Sequence, residues 1–328
     1  METLTAVALV VVGLLLLAGG GEALVRAATT LASIAGVSPA VIGLTVVAIG
    51  TSLPELVVSL VAAQQGQPEL AVANVVGSNI FNIAATLGIT ALIIPLPVHG
   101  NAVRLEWPFM FVASMLCLLL SRDGLVDRLE AAFFLTSLAL FLAYTVRLAR
   151  RDVGPAEARA FAEHVEARDI DAPAGGGARA PLVAPAVILG VGLLMLVIGG
   201  RLLVDGAVTL ARLAGMSERV IGLTIVAAGT GAPELATSLV AAFRRRPDVA
   251  VANMIGSNIF NILGILGVTA LVRPVPVSTA MVNSDMWWMI GTSLLLLPLL
   301  RSHARITRPE GGLLVAAYGA YLVVLLRA

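Results

Sequence analysis

Long apolar runs, each near the length that crosses a bilayer, dominate the chain. A spanning helix needs about 20 mainly apolar residues. Ten such segments can be placed, at 4–31, 38–64, 68–97, 105–121, 127–149, 181–211, 217–243, 247–273, 281–300 and 309–327. The first lacks the basic start of a secretory leader, since Met1 to Ala6 holds Glu2 and no Arg, so it reads as a retained helix. One long polar stretch, 150–180, is rich in Ala, Gly and charge. It divides the chain into a five-segment unit at 1–149 and a second at 181–328. At about 30 residues it is too short for an independent folded domain and reads as a linker.

Composition narrows the class further. The 328 residues are 59% hydrophobic and 12% charged, against roughly 25% charged in a soluble domain. So little charge cannot wet a globule of this size, and so much apolar surface cannot stay disordered. A formal net charge of +1 argues against a nucleic-acid partner. The single cysteine, Cys117, lies in an apolar run and has no intrachain partner. All 21 basic residues are Arg, which reads as the codon usage of a GC-rich bacterium. The expectation is an all-α, multi-pass membrane protein.

Sliding the chain by 179 positions aligns Val41–Leu92 with Val220–Leu271 without a gap, and 34 of the 52 positions are identical. Asn, Ser, Pro and Glu match as well as the aliphatic residues do, so low complexity does not explain the match. The unit is duplicated. Arginines in short loops set orientation. Arg147, Arg150 and Arg151 flank the linker, Arg244–Arg246 follow the seventh segment, and Arg301, Arg305 and Arg308 follow the ninth. With ten spans these connections share one side, assigned as cytoplasmic, and both termini face outward. The basic loop FRRRPD is the repeat of QQGQPE, which has no basic residue. An odd number of spans per half puts the two on opposite sides, so the repeats are inverted. Inverted repeats with Gly/Pro-interrupted helices mark secondary transporters. Helices 2, 3, 7 and 8 are expected to be discontinuous around a central site.

Glu55 and Glu234 lie near the middle of apolar segments, after Pro54 and Pro233. A carboxylate at that depth costs several kcal/mol unless it is protonated, paired or bound to a cation. Proline and the nearby Gly50 and Gly229 loosen the helix at the same place. Freed carbonyls are tolerated at membrane depth where they line a cavity. With the hydroxyls of Thr51, Ser52 and Thr230 they make an all-oxygen environment. A second motif, GSNIFN, recurs at Gly77–Asn82 and Gly256–Asn261. Ser78 and Asn82 share one helix face, as do Ser257 and Asn261. Asn79 and Asn258 face elsewhere and suit interhelical hydrogen bonding, while the glycines let another helix approach closely. Hard cations take oxygen ligands, and Ca2+ accepts six to eight. Thiolate or imidazole chemistry is not served, because His99, His164 and His303 are loop or boundary residues. Two carboxylates balance one divalent ion or two monovalent ones, which points to Ca2+ and Na+.

GTSLPE with GSNIFN, and GTGAPE with GSNIFN, resemble the two α-repeats of the cation/Ca2+ exchanger superfamily, closest to its prokaryotic Na+/Ca2+ exchangers. The resemblance implies a ten-helix antiporter, exchanging typically three Na+ for one Ca2+ by alternating access, with no cofactor. It carries the ion ligands onto Ala48, Thr51, Ser52, Glu55, Ser78 and Asn82, and onto Ala227, Thr230, Glu234, Ser257 and Asn261. Gly231 stands where the family often has Ser. Asn261 stands where many members have Asp, which tilts against K+ dependence and leaves only two carboxylates.

Other features have plainer readings. Glu22 with Arg26, and Arg201 with Asp205, can neutralise themselves at a spacing of four. Arg244–Arg246 determine topology, Trp287 and Trp288 are interfacial anchors, and Asp285 is given no role. The first and sixth segments are the expected sliding pair. The competing functions are a Ca2+/H+ antiporter with protons alternating on the same Glu pair, a cation channel, and an intramembrane protease. For the protease no GxGD pair, HExxH or nucleophile elbow is present. The expected partners are Ca2+, Na+ or H+, and the lipid bilayer, without nucleic acid or a protein partner.

Overall fold

The computed structural model describes residues 2–35, 37, 39–66, 68–98, 102–152, 183–215, 227–302 and 305–327. Helices occupy the ten expected segments, the seventh being described from Ala227 onward. They are α1 (Glu2–Ala35), α2 (39–51), α3 (Leu53–Gln64), α4 (Glu69–Ile93), α5 (Ala102–Asp123), α6 (Arg128–Asp152), α7 (Val183–Leu213), α8 (Ala227–Thr230), α9 (Ala232–Phe243), α10 (Pro247–Val272), α11 (281–301) and α12 (Arg308–Arg327). Among the described residues, six helices are long and apolar enough to cross a membrane, or seven if the bent pair α2–α3 is one span. Most of the linker, 153–182, and residues 216–226 of the seventh segment lie outside the described residues.

The second and seventh segments are interrupted as expected, whereas the third and eighth are not. The second segment bends by 46° between α2 and α3. The hinge residue Ser52 has φ −86° and ψ 7°, and its repeat equivalent Gly231, between α8 and α9, has φ −83° and ψ 4°. Both sit in the sparsely populated bridge region. Each proline lies in the first turn of the new helix, where its missing N–H leaves nothing unpaired. The prolines therefore start helices rather than kink them. In α4 and α10 the chain runs on unbroken but widens to π-helical winding at Phe81–Leu87 and Asn261–Leu266. Neither stretch contains proline, so the extra residue per turn is absorbed without a break.

Helices α4 and α10 form the centre. In each, 78% of the most apolar 18-residue window is buried, against 28% in α1 and 22% in α7. A Cβ on Gly256 would overlap the backbone oxygen of Leu44 and stand 2.8 Å from Ala48 Cβ. That glycine lets α10 lie directly on α2. Helices α1 and α7 pack against each other outside this centre along small residues spaced by seven, Ala6, Gly13 and Gly20 against Gly192, Gly199 and Gly206. A Cβ on Gly13 would fall 2.7 Å from Leu203 N, and one on Gly206 2.6 Å from Ala6 O. The pairing is antiparallel, with backbone nearly on backbone, as small residues permit in a membrane.

Two short ribbons tie the halves together. Strand β1 (Leu96–Pro97) pairs with β4 (Arg305–Ile306), and β2 (Leu125–Val126) pairs with β3 (Val275–Pro276), both antiparallel. Under the 179-residue offset β1 corresponds to β3. Since α5 runs from the β1 connection to the β2 connection, these corresponding strands sit at opposite ends of the bundle. The turns between α3 and α4 and between α9 and α10 also correspond. Gly66 (φ 84°) and Arg245 (φ 60°) take the same left-handed conformation, which Gly adopts freely and Arg only with strain.

The Gly256 contact sets a test. Gly256→Ala should destabilise the purified protein by about 1–3 kcal/mol through overpacking, read as a lower melting temperature in detergent. An unchanged melting temperature would mean that α2 and α10 do not meet there.

Candidate ion-binding site

The α2–α3 and α8–α9 breaks face the middle of α4 and α10, and the expected ligands converge on that crossing. Glu55 and Glu234 stand in the first turns of α3 and α9, where the positive end of each helix dipole favours a carboxylate. Both are buried, at 2% and 0% exposure. Ser52 makes no side-chain bond to its own helix. Its hydroxyl instead reaches across to the other half and donates to Glu234 Oε1 at 3.1 Å. Through Ser52, the first break touches the carboxylate of the second.

Beside the unpaired hydroxyls of Thr86, Thr237 and Ser238, the buried oxygens without a hydrogen-bond partner include four of the expected ligands' atoms: Glu55 Oε2, Glu234 Oε2, Asn82 Oδ1 and Asn261 Oδ1. They come from two carboxylates and two carboxamides, one of each from either half. Buried polar atoms are paired in the great majority of proteins. A set of orphaned oxygens with no cationic side chain bonded to them is the donor set of a hard cation.

The remaining expected residues surround this set. Thr51 donates weakly to Asn253 Oδ1 at 3.5 Å and to Ala48 O at 3.4 Å, and Ser257 Oγ lies 3.5 Å from the same carbonyl. That Ala48 carbonyl also takes the Ser52 N–H at 3.1 Å. Ser78 is buried on the Asn82 face of α4. Thr230 ends α8, directly before Gly231. Ala227 begins α8, and its side chain lies outside the described residues.

Asn79 and Asn258 do join the helices, as hydrogen-bonding residues should. Asn258 Nδ2 donates to Asn79 O at 3.1 Å, and Asn79 Nδ2 to Asn258 O at 3.4 Å. They also bond the expected ligands, which the sequence did not suggest. Asn82 Nδ2 donates to Asn258 Oδ1 at 3.1 Å, and Asn261 Nδ2 to Asn79 Oδ1 at 3.2 Å.

Three further residues escaped sequence reasoning. Asn74 Nδ2 donates to Glu55 O at 3.1 Å and to Ser59 Oγ at 3.0 Å, pinning α3 to α4. Its repeat equivalent Asn253 instead accepts from Thr51. Both asparagines recur in the repeat, and that recurrence was the available signal. Phe81 fills the space beside Gly231, where a Cβ would stand 2.5 Å from Phe81 Cε1. The ring packs edge-on against Tyr318 at 5.5 Å. The hydroxyl lost at Gly231 is thus replaced by an aromatic edge, which supplies no lone pair. Glu22 pairs with Arg26 as the spacing suggests and also accepts from Arg244 Nε at 2.7 Å. That bond ties α1 to the end of α9. Asp285 accepts from Tyr321 at 3.3 Å, and Trp288 packs on the same tyrosine.

Unpaired carboxylate and carboxamide oxygens at the crossing of two repeated helices, inside an apolar bundle, make a donor set suited to a hard cation. Residues 5–147 and, separately, 184–327 match the family model described as sodium/calcium exchanger protein. The chain belongs to that family. It is 37% identical over 320 residues to the inner membrane protein YrbG of Escherichia coli (strain K12), covering 98% of this chain and 95% of that one. It is 31% identical over 344 residues to the sodium/calcium exchanger MaX1 of Methanosarcina acetivorans, covering 97% of each. Among solved structures, the sodium-calcium exchanger NCX_Mj soaked with zero Na+ and Ca2+ superposes with a TM-score of 0.81. That match has 31% identity and covers 98% of this chain and 99% of that one. The protein is a membrane cation antiporter of a Na+- and Ca2+-transporting family, without a cofactor, and not an enzyme.

The Phe81 packing can be tested directly. Gly231→Ser should lower stability by about 1–3 kcal/mol, the cost of overpacking. Adding Phe81→Leu should recover at least half of the lost melting temperature. No loss in the single variant would show that the ring does not occupy that space.

Proposed function

We propose that the protein exchanges Na+ for Ca2+ by alternating access to one central site, with Glu55 and Glu234 binding whichever cation is present. Thr51, Thr230, Ser52, Ser78, Ser257, Asn82 and Asn261, with the carbonyls of Ala48 and Ala227, complete the ligand set. The observation that carries this reading is the group of four orphaned oxygens, two from each half, beside a hydroxyl that bridges the halves. Unpaired carboxylates in an apolar interior are costly until a cation joins them. The two cargo ions satisfy the same oxygens in turn, so neither state leaves the site uncompensated for long. That coupling makes the protein an exchanger rather than a leak.

The matched strands at opposite ends of the bundle, and the two separate family matches, support two inverted five-helix units. In this reading the units are 1–149, with its motif at 41–92, and 181–328, with its motif at 220–271. The linker at 150–180 is cytoplasmic and both termini lie outside the cell membrane. Helices α1 and α7 form the moving pair. Their close glycine-lined contact lets the two long helices move as one unit.

Proteoliposomes loaded with Na+ and diluted into Na+-free buffer should take up 45Ca2+. Glu55→Gln and Glu234→Gln should each reduce that uptake by at least 100-fold while leaving membrane expression intact, as loss of about 3 kcal/mol of ion binding would. Uptake that follows a pH gradient and ignores Na+ would replace this reading with Ca2+/H+ antiport. Uptake without any counter-ion would make the protein a channel.

A further inference from the structure

The two GSNIFN motifs hold four buried asparagines at the crossing of α4 and α10, each at most 1% exposed. Their hydrogen bonds fix one another in sequence. A backbone carbonyl can only accept. The side-chain end of Asn258 that meets the Asn79 carbonyl, at 3.1 Å, must therefore be its NH2 group. Its other end is then the oxygen, and what faces that oxygen from Asn82, at 3.1 Å, must be NH2. Asn82 is left with Oδ1 turned away and unpartnered. The same logic runs through the other half. Asn79 donates to the Asn258 carbonyl at 3.4 Å, its oxygen accepts from Asn261 at 3.2 Å, and Asn261 Oδ1 is left unpartnered.

A carboxamide can rotate by half a turn with little change in shape, exchanging an acceptor for a donor. An NH2 group turned toward a cation repels it. At residues 82 and 261 this ambiguity would weaken a site whose other members are oxygens. We propose that Asn79 and Asn258 are positioning residues: they touch no ion, and they lock Asn82 and Asn261 with their oxygens toward the cation. The lock crosses between repeats, since Asn79 of the first half sets Asn261 of the second and Asn258 sets Asn82. Each half thus prepares a ligand of the other. Asn79 also donates to Met289 Sδ at 3.6 Å, which ties the lock to α11. The inference rests on the proposed ligand role of Asn82 and Asn261, and does not depend on which ion drives exchange.

The test is a double-mutant cycle on the full-length protein. Ca2+ affinity is read from the Ca2+-dependent rise in melting temperature in detergent, with no Na+ gradient present. Asn258→Ala should weaken Ca2+ by about 10–100-fold, the usual effect of losing a partner that orients a metal ligand. In an Asn82→Asp background both side-chain oxygens are acceptors in either orientation, so Asn258→Ala should cost little further affinity. Simple helix bonding would instead lower the ion-free melting temperature and leave affinity unchanged, or change it equally in both backgrounds. Either result overturns the proposal. Asn79→Ala read against Asn261→Asp is the second arm, and the serine variants replace any alanine variant that does not fold. Wild-type protein that binds Ca2+ but shows no Na+-driven flux would reject Na+/Ca2+ exchange while leaving this test in force.

Discussion

Two carboxylates placed in the middle of an apolar bundle are the constraint from which the rest of this molecule follows. In hydrocarbon a charged group with no partner costs several kcal/mol, and the surroundings must supply a compensating charge or dipole. Here the compensation is assembled from helix starts. Glu55 and Glu234 each open a short helix, so the partial positive charge of the first turn lies beside them. The bend of 46° at Ser52 puts such a start at mid-bundle rather than at the membrane surface. The Ser52 hydroxyl adds a donor to Glu234 from the opposite half. These devices lower the cost without cancelling it, and one oxygen of each carboxylate stays unpaired.

The fold also separates a central part from a peripheral one. Helices α4 and α10 are the most buried elements and are bonded to each other through asparagine side chains. Those bonds run in both directions across the crossing and fix how the two helices sit against each other. Helices α1 and α7, by contrast, meet along glycines and stay largely exposed to lipid. The bond from Glu22 to Arg244 joins α1 to the end of α9 at one end of the bundle. In the first repeat Gln65 takes the place of Arg244, so the same charge pairing is not available there.

Much of this was legible in the sequence, and the parts that were not share a cause. Glu55, Pro54 and their duplicates announce themselves because a carboxylate after proline is so rarely placed in an apolar run. The 179-residue offset makes each half a check on the other. The role of Asn79 was hidden because its face of the helix is not the face of Ser78 and Asn82, and its partners are 179 and 182 residues away. Phe81 against Gly231 was hidden for the same reason: the missing hydroxyl was visible, but not the ring that fills its place. Strands of two residues and stretches of π-helical winding leave no periodic signal in a uniformly apolar segment. What the pattern misses are contacts between helices, most of them between the halves and some, such as Asn74 on Glu55, within one.

The central claim is that one cation sits among oxygens drawn from both halves. Anomalous diffraction from crystals of the full-length protein soaked in Sr2+ reads this directly. The account predicts a single strong peak bounded by Glu55, Glu234, Asn82 and Asn261. A peak confined to one half, or one at the bundle surface with none at the α4–α10 crossing, would contradict it.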